Sequence, residues 1–331
     1  MNLQTRINSF FLLGSHLMDD KNLNLADAKS RAYQQNSWFL PSFIEEAIAQ
    51  IATQFLNKEA LSQWAAMYPT ISNESTGLKV GIVMAGNIPL VGFHDLLSTL
   101  LAGHTAVVKL SSKDTVLMEY VIKTLLNIDA EFEQLILVQE QLKNCDAYIA
   151  TGSNNTSRYF EQYFGKFPNI IRSNKTSIAI LHGKESTDEL ELLAQDIMLY
   201  FGRGCRNVTQ LWVPKGYDFL PLINVLKKYN YLMDEHKYKH NYDYQLALLM
   251  MNRQFYMDTG GILLSENASP FAAISQIHYQ FYDQEVLSQL NMDEIQCIVG
   301  KGGLPFGSLQ KPQLNQYADG TDTLAFLTQL K

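Results

Sequence analysis

Lys79-Val80-Gly81-Ile82-Val83-Met84-Ala85-Gly86-Asn87-Ile88-Pro89 is the stretch on which the fold turns. A short β-branched run breaks off at Ala85-Gly86-Asn87, and a helical pattern then fills residues 93–102, with Gly103 placed to end it. The same alternation repeats downstream. Residues 105–110 read as a strand, 114–126 as a helix, and 135–138 and 146–150 as further strands. A helix is expected from Ser153 to about residue 164, then strands at 169–171 and 177–181, a helix over 187–201 and a strand over 208–213. Asp188 and Glu189 suit the first turn of that last helix. Strands alternating with helices argue a parallel α/β sheet. Upstream, residues 1–75 read as helical, with Ser42 and Glu45 as a capping box ahead of Ile44, Ile48, Ile51, Ala52 and Phe55. Residues 214–300 mix helices with short strands such as 294–299, and 304–331 read as loop with a short final element.

The 331 residues are 47% hydrophobic and 18% charged, enough for a sizeable core. The formal net charge is −7 with no basic run, whereas a phosphate-tracking binder needs concentrated positive charge, so nucleic acid is not an expected partner. Phe10-Phe11-Leu12-Leu13 is too short for a membrane span and lacks a small-residue cleavage site. A soluble, cytoplasmic protein is expected. Three cysteines at wide spacing form neither a disulfide framework nor a C-x-x-C metal pattern.

Cys205 lies in Gly202-Arg203-Gly204-Cys205-Arg206-Asn207. Glycines let backbone turn and approach a substrate, and Arg203 and Arg206 would stabilise the reactive thiolate. A buried structural cysteine explains the same residue equally well. Cys145 and Cys297 sit in apolar strand patterns and read as packing. Asn87 at a strand end presents an amide donor suited to an oxyanion, or is a turn residue before Ile88-Pro89. Lys109, Ser111, Ser112 and Lys113 suit a cofactor ribose and phosphate, or a solvated loop with a helix cap. Gly152 and Ser153 suit a pyrophosphate at a helix N-terminus. His94 reads as packing with base catalysis left open. His236 and His240 have helical spacing but no acidic partner motif, so no metal is expected.

Taken in order, Ala85-Gly86-Asn87-Ile88-Pro89, Val107-Val108-Lys109, Thr151-Gly152-Ser153 and Cys205 resemble the aldehyde dehydrogenase superfamily. Asn174-Lys175-Thr176-Ser177 falls where that superfamily has Glu-Leu-Gly-Gly-Lys. A closer resemblance is to the acyl-CoA reductase family, which includes the fatty-acid reductase component of bacterial luminescence. It rests also on Pro305-Phe306-Gly307 and Gln316-Tyr317-Ala318-Asp319-Gly320-Thr321-Asp322-Thr323, and runs from about residue 36 to the end.

The resemblance implies an aldehyde-dehydrogenase-like α/β fold: a helical segment over 1–75, a Rossmann-like NADP-binding domain over 76–175 to which 301–331 return, and an α/β catalytic domain over 176–300 bearing Cys205. It implies NADPH-dependent reduction of an acyl-CoA or carrier-bound thioester to an aldehyde. Cys205 would be the acylated residue and Asn87 the oxyanion donor. Lys109, Ser111, Ser112, Lys113, Gly152 and Ser153 would bind NADP. A homo-oligomer and an acyl-donating partner enzyme are compatible with it. One departure is informative: Ile171 stands where aldehyde dehydrogenases have the Glu that activates water, so an acyl-cysteine here should outlast hydrolysis. An acyl-phosphate reductase and a non-catalytic scaffold on the same fold are the rivals.

Overall fold

A computed structural model describes residues 1–283 and 290–330. Residues 284–289 of the expected catalytic domain and Lys331 of the expected tail lie outside the described residues. The chain divides into two compact units, Met1–Asn174 with Pro312–Lys331, and Lys175–Lys311.

The first unit begins with four helices: α1 (Leu3–Leu17), α2 (Leu23–Gln35), α3 (Pro41–Gln50) and α4 (Lys58–Ala66). Asn2, Asn22 and Asn57 cap α1, α2 and α4, each side-chain oxygen accepting a first-turn backbone N–H. The capping box expected at Ser42 and Glu45 does not form. Pro41 occupies the first helical turn, Leu40 is the cap position, and Glu45 instead pairs with Lys29 at 2.7 Å. Ile44, Ile48, Ile51 and Ala52 are buried as expected, but past Gln50 the helix widens into a π turn over Ile51–Phe55.

Then come β1 (Lys79–Val83), α5 (Phe93–Leu101), β2 (Thr105–Lys109), α6 (Thr115–Ile128), β3 (Ile136–Val138), β4 (Ala147–Thr151), α7 (Asn154–Phe164) and β5 (Asn169–Arg172). The strands form one parallel sheet in the order β3-β2-β1-β4-β5. β1 lies at its centre, Val80 pairing with Ala106 on one side and Ala147 on the other. Val80, Ile82, Ala106, Val108, Ala147 and Ile149 are all fully buried. Helices cover both faces of such a sheet, which is why its strands read as unbroken apolar runs.

The second unit contains β6 (Thr176–Ile180), α8 (Thr187–Met198), β7 (Val208–Pro214), α9 (Leu220–Leu226), α10 (His236–Met251), β8 (Tyr256–Asp258), β9 (Leu263–Glu266), β10 (Gln276–Tyr282) and β11 (Ile295–Gly300). Its sheet runs β11-β6-β7-β10-β9-β8, parallel except for β8. Ser186 and Glu189 make a full capping box on α8. The helix expected over 187–201 stops at Met198, because Tyr200 and Phe201 adopt left-handed φ of 56° and 57°. No helix among the described residues is long and apolar enough to cross a membrane.

The C-terminal α11 (Thr323–Thr328) belongs to the first unit. The Gln316–Thr323 motif stitches that unit together. Tyr317 Oη accepts from Trp64 Nε1 at 2.8 Å and lies 2.6 Å from Tyr68 Oη, which in turn donates to Asp322 Oδ2 at 2.8 Å. Asp322 caps α11. Arg172 at the end of β5 is almost wholly buried and binds Asp95 Oδ2 at 2.7 Å and Thr323 Oγ1 at 2.8 Å, joining β5, α5 and the tail. Removing one partner of a buried pair leaves a desolvated charge. Asp95→Ala should therefore lower unfolding stability by about 3–5 kcal/mol in a denaturant titration. The double variant Asp95→Leu/Arg172→Met should recover most of that loss. An Asp95→Ala midpoint equal to wild type would show that the pair carries no such weight.

Candidate active site

Cys205 sits in the short connection from α8 to β7, at the amino end of its strand. Tyr200, Phe201 and Gly202 form three successive left-handed residues, with Phe201 packed on Tyr238 at 5.3 Å. Left-handed φ at bulky residues is held only where the surroundings over-determine it. Here the surroundings are a buried carboxamide. Asn207 Nδ2 donates to the carbonyls of Leu199 (2.8 Å), Asp196 (3.0 Å) and Ile197 (3.4 Å), and its Oδ1 accepts the Gly204 N–H at 2.8 Å. One side chain thus ties the end of α8 to the residue before Cys205.

Cys205 is half-buried, as are Arg203 and Arg206. Arg206 directs Nη1 to Cys297 Sγ at 3.5 Å, so a cation expected to serve Cys205 also serves the second thiol. Cys297, expected to be mere packing, therefore takes part in a polar group. Burial pushes its thiol up, and Arg206 and Ser177 oppose that. Cys145 is buried just before β4 and its thiol is likewise pushed up by burial, as expected of a packing cysteine. Burial also lowers the Arg203 guanidinium.

In the first unit, the other candidates gather at the carboxyl edge of the five-stranded sheet. Asn87 lies in the loop after β1, Lys109 ends β2, Ser111, Ser112 and Lys113 follow it, and Gly152 and Ser153 follow β4. The first two loops are in close contact: a Cβ at Gly86 would fall 2.3 Å from Ser111 Oγ, so only glycine fits there. Gln35 at the end of α2 and Asn36 just after it brace the second loop by donating to the carbonyls of Ser112 (3.3 Å) and Lys113 (3.0 Å). Lys109, Ser112 and Lys113 are exposed, Ser111 half-buried. Asp114 heads α6 as expected but makes no side-chain cap. Its Oδ2 instead accepts the N–H of Leu90, itself left-handed at φ 56°, at 2.7 Å. Burial raises its carboxyl well above the usual range. Ser153 caps α7, its hydroxyl engaged with Thr156. That leaves the backbone N–H groups of the helix start, rather than the hydroxyl, for an anion.

His94 is not placed as a base. Its Nε2 meets the Leu314 carbonyl at 2.9 Å inside a ring of Phe55, Trp64 and Tyr317. Among the described residues, no group of three or more His, Cys, Asp or Glu is arranged to hold a metal ion.

The acyl-CoA reductase (LuxC) family matches residues 57–220. Over this segment, just under half of the chain, the sequence is similar to that family. The segment includes every candidate above, from Asn87 to Cys205. No curated protein matches the chain. Among solved structures, an NAD-dependent aldehyde dehydrogenase from Sinorhizobium meliloti superposes with a TM-score of 0.68 at 12% identity, covering 90% of this chain and 70% of that one. Succinic semialdehyde dehydrogenase from Streptococcus pyogenes, solved with NADP+, gives 0.65 at 14%, covering 86% and 74%. A putative aldehyde dehydrogenase from Burkholderia cenocepacia gives 0.65 at 14%, covering 87% and 71%. At such identities the likeness is one of fold. The fold is that of the aldehyde dehydrogenases, and the family match supports an oxidoreductase acting on acyl or aldehyde groups.

Within the matched segment, Asp196 had no signal in the sequence. It is a helix residue in an ordinary amphipathic pattern, yet it is 1% exposed. Its carboxylate accepts the backbone N–H of Gly307 at 2.7 Å and of Leu309 at 3.1 Å, which anchors the Pro305-Phe306-Gly307 motif. Burial outweighs these bonds and pushes its pKa up to about 6 from 3.8. The folded chain then binds this proton more tightly than the unfolded chain. Its contribution is present in full below about pH 4 and is lost as pH rises through about 6. A shift of that size corresponds to roughly 3 kcal/mol. Asp196→Asn should remove this term, so the wild-type minus variant stability difference should fall between pH 4 and 6. Urea titrations across that range check it; a flat or rising difference contradicts the assignment.

Proposed function

We propose that the chain reduces an acyl thioester, carried on CoA or a carrier protein, to the aldehyde with NADPH, through an acyl group held on Cys205. The observation that supports this most is the setting of Cys205, a half-buried thiol on a turn made rigid by a buried carboxamide, inside a segment of the acyl-CoA reductase family. A nucleophile fixed in this manner loses little freedom on reaching its target.

The carboxyl edge of the five-stranded sheet fits a nicotinamide dinucleotide. Open α/β sheets bind ligands at that edge, and β1 and β4 are neighbours where the strand order reverses. Lys109 would hold the ribose, Ser111, Ser112 and Lys113 a 2′-phosphate, and the backbone at Gly152 and Ser153 the pyrophosphate. A site for NADH usually sets a carboxylate on the ribose 2′-hydroxyl. The nearest carboxylate here, Asp114, is turned inward to Leu90 and buried, so the exposed groups of this loop are cationic or neutral. When bound, the cofactor supplies the hydride that the acyl carbon receives.

The chain's own residues do the rest. Cys205 thiolate attacks the thioester carbonyl carbon, and the new C–S bond puts negative charge on oxygen. The Cys205 N–H takes that charge, and the resemblance assigns the Asn87 carboxamide to the same role. Loss of such a donor costs about 10²–10³ in rate. The carbonyl reforms as the CoA thiolate leaves and takes a proton. After reduction, the bond from Cys205 to the former acyl carbon breaks, the aldehyde leaves and the thiol is restored. Ile171 on β5 offers no carboxylate to activate water, which favours a long-lived acyl-cysteine.

Incubation with an acyl-CoA in the absence of NADPH should add one acyl mass to the peptide containing Cys205. Asn87→Ala should slow that acylation by about 10²–10³. Acylation on Cys145 or Cys297 would sink the assignment, and activity with acyl phosphate but not acyl-CoA would favour the rival reductase. In steady-state kinetics, native enzyme should prefer NADPH, and Lys113→Glu should weaken NADPH use more than NADH use. Equal or better efficiency with NADH in the native enzyme would refute the cofactor preference while leaving the acyl-cysteine chemistry standing.

A further inference from the structure

Two fully buried residues hold the two peptide units that flank Cys205: Asn207, through its backbone N–H, holds the unit before it, and Ser177, through its side chain, holds the unit after it. On the amino side, the Gly204 carbonyl accepts the Asn207 N–H at 3.0 Å while the Gly204 N–H donates to Asn207 Oδ1 at 2.8 Å. On the carboxyl side, Ser177 Oγ donates to the Cys205 carbonyl at 3.0 Å. Ser177 and Asn207 are each 0% exposed. Ser177 belongs to β6, where it pairs with Val208 of β7, so its position is set by the sheet. A trans peptide unit is planar, with N–H and C=O pointing opposite ways. Anchoring the Gly204 carbonyl therefore aims the Cys205 N–H, and anchoring the Cys205 carbonyl fixes the second plane. With both planes fixed, the direction of the Cα–Cβ bond that carries the thiol is fixed as well.

We propose that Ser177 and Asn207 are positioning residues for Cys205, setting together the direction of its thiol and of its backbone N–H. This rests on the assignment of Cys205 as the acylated residue. Ser177 also lies beside the Cys297 thiol, to which Arg206 donates. Neither Ser177 nor Asn207 touches substrate in this scheme. Their effect is on rate, because a misplacement of about 1 Å at a reacting group can cost on the order of 10²-fold.

The test uses the full chain and octanoyl-CoA as probe. Ser177→Ala removes one hydroxyl from a buried strand and leaves the backbone ladder intact. Its acylation at Cys205, followed by intact mass at timed quenches, should be 10- to 100-fold slower than wild type, on the order expected for a misplaced nucleophile. KM for octanoyl-CoA should stay within about twofold, since binding does not depend on the aim of the thiol. Ser177→Thr, which restores the hydroxyl, should restore most of the rate. Asn207→Ala should slow acylation further; if it fails to fold, Ser177→Ala with its Thr rescue decides alone. A folded Ser177→Ala that acylates at the wild-type rate overturns the proposal. So does a loss that Thr does not reverse and that raises KM in step, which marks general loosening. If wild-type Cys205 takes no acyl group, the functional assignment itself has failed, and the two failures are told apart by that control.

Discussion

A parallel sheet gathers the loops leaving its strands along one edge, and both units of this chain are organised by that constraint. In the first unit, every residue with a proposed binding role leaves the carboxyl end of β1, β2 or β4, and the loops are close enough that Gly86 admits no side chain. In the second unit the arrangement is inverted for the proposed nucleophile. Cys205 precedes its strand, so it stands at the amino end of β7, and the sheet edge alone does not hold it. Asn207 and Ser177 supply what the edge does not.

This division explains which parts of the molecule were legible in the sequence. Strands buried on both faces are mostly apolar, so β1, β2 and β4 announced themselves as runs while β6 and β7 showed shorter ones broken by Ser177, Thr209 and Gln210, and the fold class followed from their alternation with helices. The family resemblance then named residues in order along the chain, which no single loop could have done. The end of α8 was illegible for a physical reason. Leu199, Tyr200 and Phe201 continue an apolar helical pattern, and nothing in their identity requires a left-handed turn; the turn is imposed by Asn207, several residues away. A polar residue between Arg206 and Val208 gives no hint of being wholly buried.

The same holds for the Ser42–Glu45 box, where Pro41 already satisfied the helix start, and for Asp114, whose capping position was legible but whose side chain is used elsewhere. Cys297 shows the reverse case. Its apolar strand context predicted packing, and burial is indeed the main influence on its thiol. Its contacts with Arg206 and Ser177 depend on strand order, β11 beside β6, which local sequence does not reveal. Pairing between distant strands is decided by the whole fold, and so are the polar groups that such pairing brings together.

The bonds from Tyr317 to Trp64 and Tyr68 bear on the order in which a nascent chain can reach its final state. The second unit is a continuous segment, Lys175–Lys311, whereas the first is split around it and needs Pro312–Lys331. During synthesis, the residues of the second unit therefore emerge before the first can close. Domains generally fold as units as they are made. The half that bears the proposed nucleophile can be complete while the proposed cofactor half still waits for α11, and the aromatic hydroxyl at Tyr317 acts as the latch of a unit that closes only once the segment after residue 311 has emerged.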